Sequence, residues 1–295
     1  MHQNMDICCF QELDREDFRN IFKPRMKELG YDGFFQKRHD ELKHGCALFY
    51  RRIKVALVYR SHVFCDWIEI PQFAGVLGIF DIDLGHEKRY VCVGTTHLVH
   101  SGNRNFIKLG QVLALTAAAE ALIKRNPSIP LILCGDFNSK PCSLIVDYVT
   151  RGFADLSVAE ETFFSMPTAR WMQNYVSDVD LRKIAIFKRQ TRHLRLRKAF
   201  SPLLPTKGDA LRDIIRSRMD EKDGVIQHSL RLSSVYNNFD TVDFIFYGQP
   251  DGSKARLEPV ARLKVYDAFL LHRIGLPAAH FGSDHYALGA QFRFV

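Results

Sequence analysis

The 295-residue chain is 46% hydrophobic and 25% charged, the composition of an ordinary globular protein long enough to bury a full core. Its formal net charge of +8 favours polyanionic partners such as RNA, DNA or phospholipid. No apolar run reaches the roughly 18 residues that suggest a membrane helix, and Met1–Asp6 is too polar to open a signal peptide. Seven cysteines without a CxxC pair suit a reducing compartment, so an intracellular protein, cytoplasmic or nuclear and with no membrane partner, is expected.

The first apolar strand is Ile7–Phe10 (ICCF), with Gln11 and Glu12 where it ends. Asp14 is an N-cap with Glu16 and Asp17 in the first turn of a helix running towards Leu29. Phe18, Ile21 and Phe22 give that helix its apolar face, Pro24 should kink it, and Gly30 suits the position after its end. Gly45–Tyr50 and Lys54–Tyr59 read as short strands joined by the basic turn Arg51–Arg52. Ala74–Leu84 and Tyr90–Leu98 read as an antiparallel pair joined by Gly85–Lys88, the second strand ending in Thr95-Thr96-His97. His97 and His100 are spaced for zinc, but no cysteine cluster or HExxH frame supports that ion. Two readings of His97 stay open: a phosphate contact and a hydrogen-bonded structural histidine.

Arg104–Arg125 is the clearest helix, with Phe106, Leu109, Leu113, Ala117 and Ala121 on a core-facing stripe and Asn126-Pro127 as its stop. Leu131–Cys134 is a buried strand, and Gly135 allows the sharp turn that delivers Asp136 and Asn138 at its carboxyl end. Ligands bind at that edge of open α/β sheets. Ser143–Thr150 is a helix closed by Gly152. The alternation argues for a layered α/β fold. Phe153–Gly224 loses strand patterning, and Lys188–Lys198 carries six Lys/Arg in eleven residues, read first as a solvated helix face or loop and second as a grip on a phosphate backbone. Leu230–Tyr236 and Leu263–Tyr266 are candidate strands, and Asp243 interrupts the apolar strand Thr241–Tyr247. An acid there is costly unless paired or bound. Gly282-Ser283-Asp284-His285 precedes a last strand in which Tyr286, Leu288, Ala290, Phe292 and Phe294 alternate onto one face.

Taken together, QE after the first strand, TTHL, GDFNSKP, VDFIFY and SDH before the last strand form an ordered series. That series resembles the endonuclease/exonuclease/phosphatase superfamily, and within it the deadenylase branch that includes nocturnin and, most nearly, the Angel proteins. The longer blocks CFQELD, LGYDGFFQKR, HGCALFY, THLVHSGNRNFIKLGQ, LILCGDFNSKPCS, HSLRLSSVYN and LPAAHFGSDHYAL carry the nearer likeness. The resemblance implies one domain over residues 1–295, a four-layer sandwich of two face-to-face β-sheets flanked by helices, with a basic insertion around 165–225. It implies Glu12 as a Mg²⁺-binding carboxylate with Asp284 for a second ion, and Mn²⁺ as the alternative metal. Asp136 and Asn138 correspond to the pair that positions nucleophile and phosphoryl group, and His97 to the phosphate-contacting histidine. His285 lies beside the scissile phosphate, with Asp243 as the acid that orients it.

Family members begin with a strand carrying a metal-site asparagine well before the QE motif, whereas only ten residues precede Gln11, so that strand is expected to be missing. The implied activity is phosphoester hydrolysis at RNA 3′ ends. It would be 3′→5′ trimming of poly(A), or removal of a 2′,3′-cyclic phosphate by the same residues. RNA is the expected partner, with mRNA-decay or translation proteins beside it. A non-catalytic RNA- or partner-binding homologue is the competing reading, and a lipid phosphatase is disfavoured by the Angel-like blocks.

Overall fold

The computed structural model describes residues 5–38, 43–63, 74–100, 105–123, 128–141, 143–151, 194–198, 241–250, 253, 255–263, 276–279 and 282–295. β1 (Ile7–Asp14), β2 (Tyr31–Lys37) and β3 (His44–Arg51) form an antiparallel sheet in the order β1-β3-β2. β4 (Val55–Val63), β5 (Ala74–Asp83), β6 (Lys88–His97), β7 (Leu131–Asp136), β8 (Leu194–Lys198) and β9 (Asp243–Pro250) form a second, in the order β4-β5-β6-β7-β9-β8. β10 (Leu257–Arg262) and β11 (Ala290–Phe294) make a two-stranded ribbon. The helices are α1 (Arg15–Asp17), a π-helical turn at Phe18–Phe22, α2 (Lys23–Glu28), α3 (Asn105–Ile123) and α4 (Leu144–Arg151).

Alternation along the strands sorts side chains into three cores and hence four layers. Cys46 and Leu48 of β3 face Val76, Phe80, Val91 and Val93 of the six-stranded sheet, and Phe292 and Phe294 pack on the same core. Their neighbours Ala47 and Phe49 turn the other way, onto Phe18, Phe22 and Met26 of the first helical layer. On the far side of the larger sheet, Leu77, Cys92, Leu131, Leu133 and Phe246 meet α3 and α4. The expected four-layer α/β sandwich is thus present. Among the described residues no helix is long and apolar enough to cross a membrane.

Several expectations are corrected. The first strand does not end at Phe10 but continues to Asp14 through a bulge at Gln11–Glu12, where Glu12 has φ 56°. Asp14 does cap the helix, its Oδ1 accepting from the Glu16 amide at 2.7 Å. The π-helical turn keeps Phe22 and Met26 under the sheet but turns Ile21 out to 58% exposure, so Ile21 is not on the apolar face. Lys188–Lys198 is not a helix face at its end: Leu194–Lys198 is a strand that pairs with β9 at the edge of the larger sheet. Asp243 does not interrupt its strand but begins it, and the last strand starts at Ala290, leaving Tyr286 and Leu288 before it. β2 and β10 were not expected as strands. The helix stop at Asn126-Pro127, the close at Gly152, the strand at Leu230–Tyr236 and most of Leu263–Tyr266 lie outside the described residues.

Candidate active site

Strand register builds the site. β6 and β7 run parallel, β7 and β9 antiparallel, and the pairing sets His97 opposite Asp136 and Asp136 opposite Asp243. Three polar side chains from widely separated stretches of chain therefore stand in one row across the sheet. Gly135 makes the close approach at β7 feasible: its φ is +130°, and a Cβ there would lie 2.0 Å from the Thr96 carbonyl oxygen.

His285 joins from the segment before β11, where the Ser283 hydroxyl accepts its backbone N–H at 3.0 Å. Its Nδ1–H donates to Asp243 Oδ2 at 2.8 Å, and its Nε2 is 3.9 Å from Asp136 Oδ2. The second distance is too long for a hydrogen bond, but one oxygen atom can bond to both groups from the side. His97 Nε2 approaches the same Asp136 oxygen at 3.4 Å. The other Asp136 oxygen accepts the Asn138 amide at 2.7 Å.

Burial separates the charges of these groups. Burial pushes the Asp136 carboxyl up to about 7, and the Asp243 charge adds to this against the pull of His285. For His285, burial acts downward but is outweighed by the Asp243 hydrogen bond and the charges of Asp243, Asp136 and Asp284, leaving it at about 9. Burial, with Arg38 and His285 nearby, takes His97 down to about 3. His97 is consequently neutral, so its approaches to Asp136 and Glu12 are not ion pairs. A neutral imidazole has a single N–H, and the buried His97 Nδ1 has no hydrogen-bond partner.

Glu12 Oε1 lies 3.8 Å from that nitrogen, and its side chain is 68% exposed at the rim of the site. The bulge in β1 puts it there, while the preceding Gln11 reaches across to the other sheet and donates to Thr95 Oγ1 at 2.8 Å. Asp284 is half-buried beside His285. Carboxylate oxygens of this kind suit a hard divalent cation, and the orphaned His97 nitrogen next to Glu12 fits a site completed by a bound group. Asp136, Asp243 and His285 also bring one ligand atom each within 4.8 Å of one another. In that trio Nδ1 of His285 is already committed to Asp243, which suits proton handling better than metal ligation.

Asn138, expected to help position nucleophile and phosphoryl group, has both ends of its side chain engaged within the protein. At φ 45°, its Nδ2 donates to the Leu98 carbonyl at 2.9 Å and its Oδ1 meets His100 Nδ1 at 3.1 Å. Its side chain thus ties the turn after β7 to the segment after β6, and its backbone holds Asp136. The zinc spacing of His97 and His100 is not realised as a pair, since His100 is exposed and engages Asn138. Sequence reasoning passed over Lys108 and Gln111, which are buried at 3% and 0% exposure on α3 and bond to the Asn138 carbonyl and the Val99 amide. Their sign in the sequence is a lysine and a glutamine three apart in a helix that is otherwise apolar there.

The sequence pattern of the Endonuclease/Exonuclease/phosphatase family matches residues 2–285. The chain belongs to that family. Its relatives include the carbon catabolite repressor protein 4 homolog 5 of Arabidopsis thaliana, 25% identical over 99% of this chain and 67% of that protein. They also include protein angel homolog 2 of Danio rerio, 26% identical over 98% of this chain and 56% of that protein. The chain therefore spans only part of the length of these family members. Among solved family folds, the 2′,3′-cyclic phosphatase ANGEL2 superposes with a TM-score of 0.73 at 21% identity, covering 98% of this chain and 81% of that one. The human nocturnin catalytic domain with bound sulfate gives 0.57 at 18% identity, covering 98% and 81%.

Proposed function

We propose that this family member is a Mg²⁺-dependent phosphoesterase acting on RNA 3′ ends, carried by one domain, with Mn²⁺ as the alternative ion. The observation that carries the reading is the row His97–Asp136–Asp243 completed by the 2.8 Å His285–Asp243 hydrogen bond. It supplies a base and an acid on either side of one small gap. Asp136, near 7, accepts the proton of an attacking water, and His285, near 9, keeps its Nε2–H for a phosphoryl oxygen. Asp243 fixes the ring and its tautomer. His97, neutral and buried, offers a hydrogen bond to the phosphate without adding charge. Glu12 and Asp284 are the carboxylates that would hold the cation, and Asn138 steadies Asp136. When bound, the metal polarises a phosphoryl oxygen and lowers the pKa of water.

A cluster of buried acids and histidines is expensive to keep in an inert core, which weighs against the non-catalytic reading. Two related folds hold phosphate mimics: nocturnin a sulfate, and ANGEL2 an adenosine-2′,3′-vanadate. The net charge of +8 suits an RNA substrate, and the same reading would place the protein beside mRNA-decay or translation proteins in the cytoplasm or nucleus.

Poly(A) trimming is the first form of this reading. Removal of a 2′,3′-cyclic phosphate is the second, favoured by the higher TM-score of 0.74 with ANGEL2 in its vanadate complex. Incubation with Mg²⁺ and either a poly(A) oligonucleotide or one ending in a cyclic phosphate separates them. Shortening of the first RNA supports trimming, and conversion of the second at constant length supports the phosphatase. If neither RNA changed with Mg²⁺ or Mn²⁺, the reading would fail.

A further inference from the structure

Lys108 sits in the first turn of α3 and is 3% exposed. Two effects oppose an ammonium there. Desolvation disfavours the charged form, and the amino end of a helix already carries partial positive charge. Burial brings its pKa down to about 8 against the upward pull of Asp136. What offsets these costs is close at hand: Nζ donates to the backbone carbonyl of Asn138. Asn138 is one of two non-glycine residues with positive φ among the described residues, a turn conformation that asparagine tolerates and that the Lys108 bond restrains further. Its amide in turn donates to Asp136 Oδ1 at 2.7 Å. One turn further along α3, Gln111 Oε1 accepts the Val99 amide at 2.9 Å and so fixes the neighbouring segment, to which the Asn138 side chain is bound.

We propose that Lys108 is a positioning residue for the phosphoester reaction. Its ammonium clamps the Asn138 carbonyl, which keeps the Asn138 amide on one oxygen of Asp136 and leaves the other oxygen facing His97 and His285. This rests on the reading above, in which Asp136 is the base. A lysine that serves only to fill the space under the turn would affect stability and leave the kinetics of folded protein alone.

Lys108→Met and Lys108→Gln remove the charge with little change in volume. In both, kcat on the RNA that wild type hydrolyses should fall about a hundredfold, with KM within roughly threefold of wild type, the loss expected from a misplaced reacting group. Amide hydrogen exchange gives a second readout that needs no activity. Asn138 should lose protection in both variants while Leu133, in the middle of β7, keeps its own. A kcat within about threefold of wild type in the variant that folds, or equal loss of protection at Leu133 and Asn138, would overturn the proposal. Failure of both variants to fold would overturn it too, by assigning Lys108 to stability. If wild type hydrolyses neither RNA, the parent reading fails by itself, and the exchange data still decide whether Lys108 holds Asn138.

Discussion

Two histidines flank the Asp136 carboxylate and are held in opposite charge states by their surroundings. His97 is enclosed and lacks an acid at hydrogen-bond distance strong enough to keep a proton on it, whereas His285 has Asp243 at 2.8 Å. The proposed mechanism requires Asp136 ionised and His285 protonated, so kcat/KM should follow a bell with limbs near pH 7 and 9. In Asp243→Asn the hydrogen bond and charge that raise His285 are gone, and so is the charge that raises Asp136. Both limbs should then move to lower pH. A pH–rate profile from about pH 5 to pH 10 checks this, and an alkaline limb that stayed put in the variant would contradict the Asp243–His285 pairing. In the metal-free protein the raised His285 pKa also stabilises the fold. That contribution is complete below pH 6.5 and is lost as pH rises through about 9. The residue types at these positions were readable in the sequence. Their charge states were not, because burial and a partner 42 residues away set them.

Elements were legible where a long apolar run stands between clear turn signals. The antiparallel pair β5 and β6 appears within a few residues of its expected bounds, and so does α3. β2 escaped because it is short and its apolar run is broken by Asp32 and Gly33, so neither alternation nor a continuous apolar stretch survives. β8 escaped for a different reason. An edge strand rich in arginine reads as solvated chain, since charge is how sheet edges resist pairing with other molecules. The bulge at Gln11–Glu12 has no sequence mark, although it is what carries Glu12 to the rim. Gly135 did announce itself as a turn, and its reason is the approach to Thr96 rather than flexibility. Gly135→Ala should therefore lower stability by at least about 2 kcal/mol, through both the unfavourable φ and the collision with the Thr96 carbonyl. Urea denaturation measures it, and an unchanged midpoint would mean that β6 and β7 part easily at this point.

For the molecule as a whole, the four layers explain why the site lies where it does. The QE bulge belongs to the smaller sheet, the acid–histidine row to the larger one, and the Gln11–Thr95 hydrogen bond links the two sheets near the carboxyl end of β6. The order of short motifs along the chain was enough to reach the family. The meeting of those motifs depends on β6, β7 and β9 being neighbours, and periodicity cannot supply strand order. The most direct test of the account is the rate of phosphoester hydrolysis at an RNA 3′ end as Mg²⁺ is added, measured for wild type and Asp136→Asn at equal folded concentration. Wild type should show saturable turnover that a chelator abolishes, while Asp136→Asn, with an unchanged melting temperature, should be slower by roughly 10²–10⁴-fold. A variant that hydrolysed the RNA at nearly the wild-type rate would contradict the account, because the row of side chains across the sheet would then not be where the chemistry occurs.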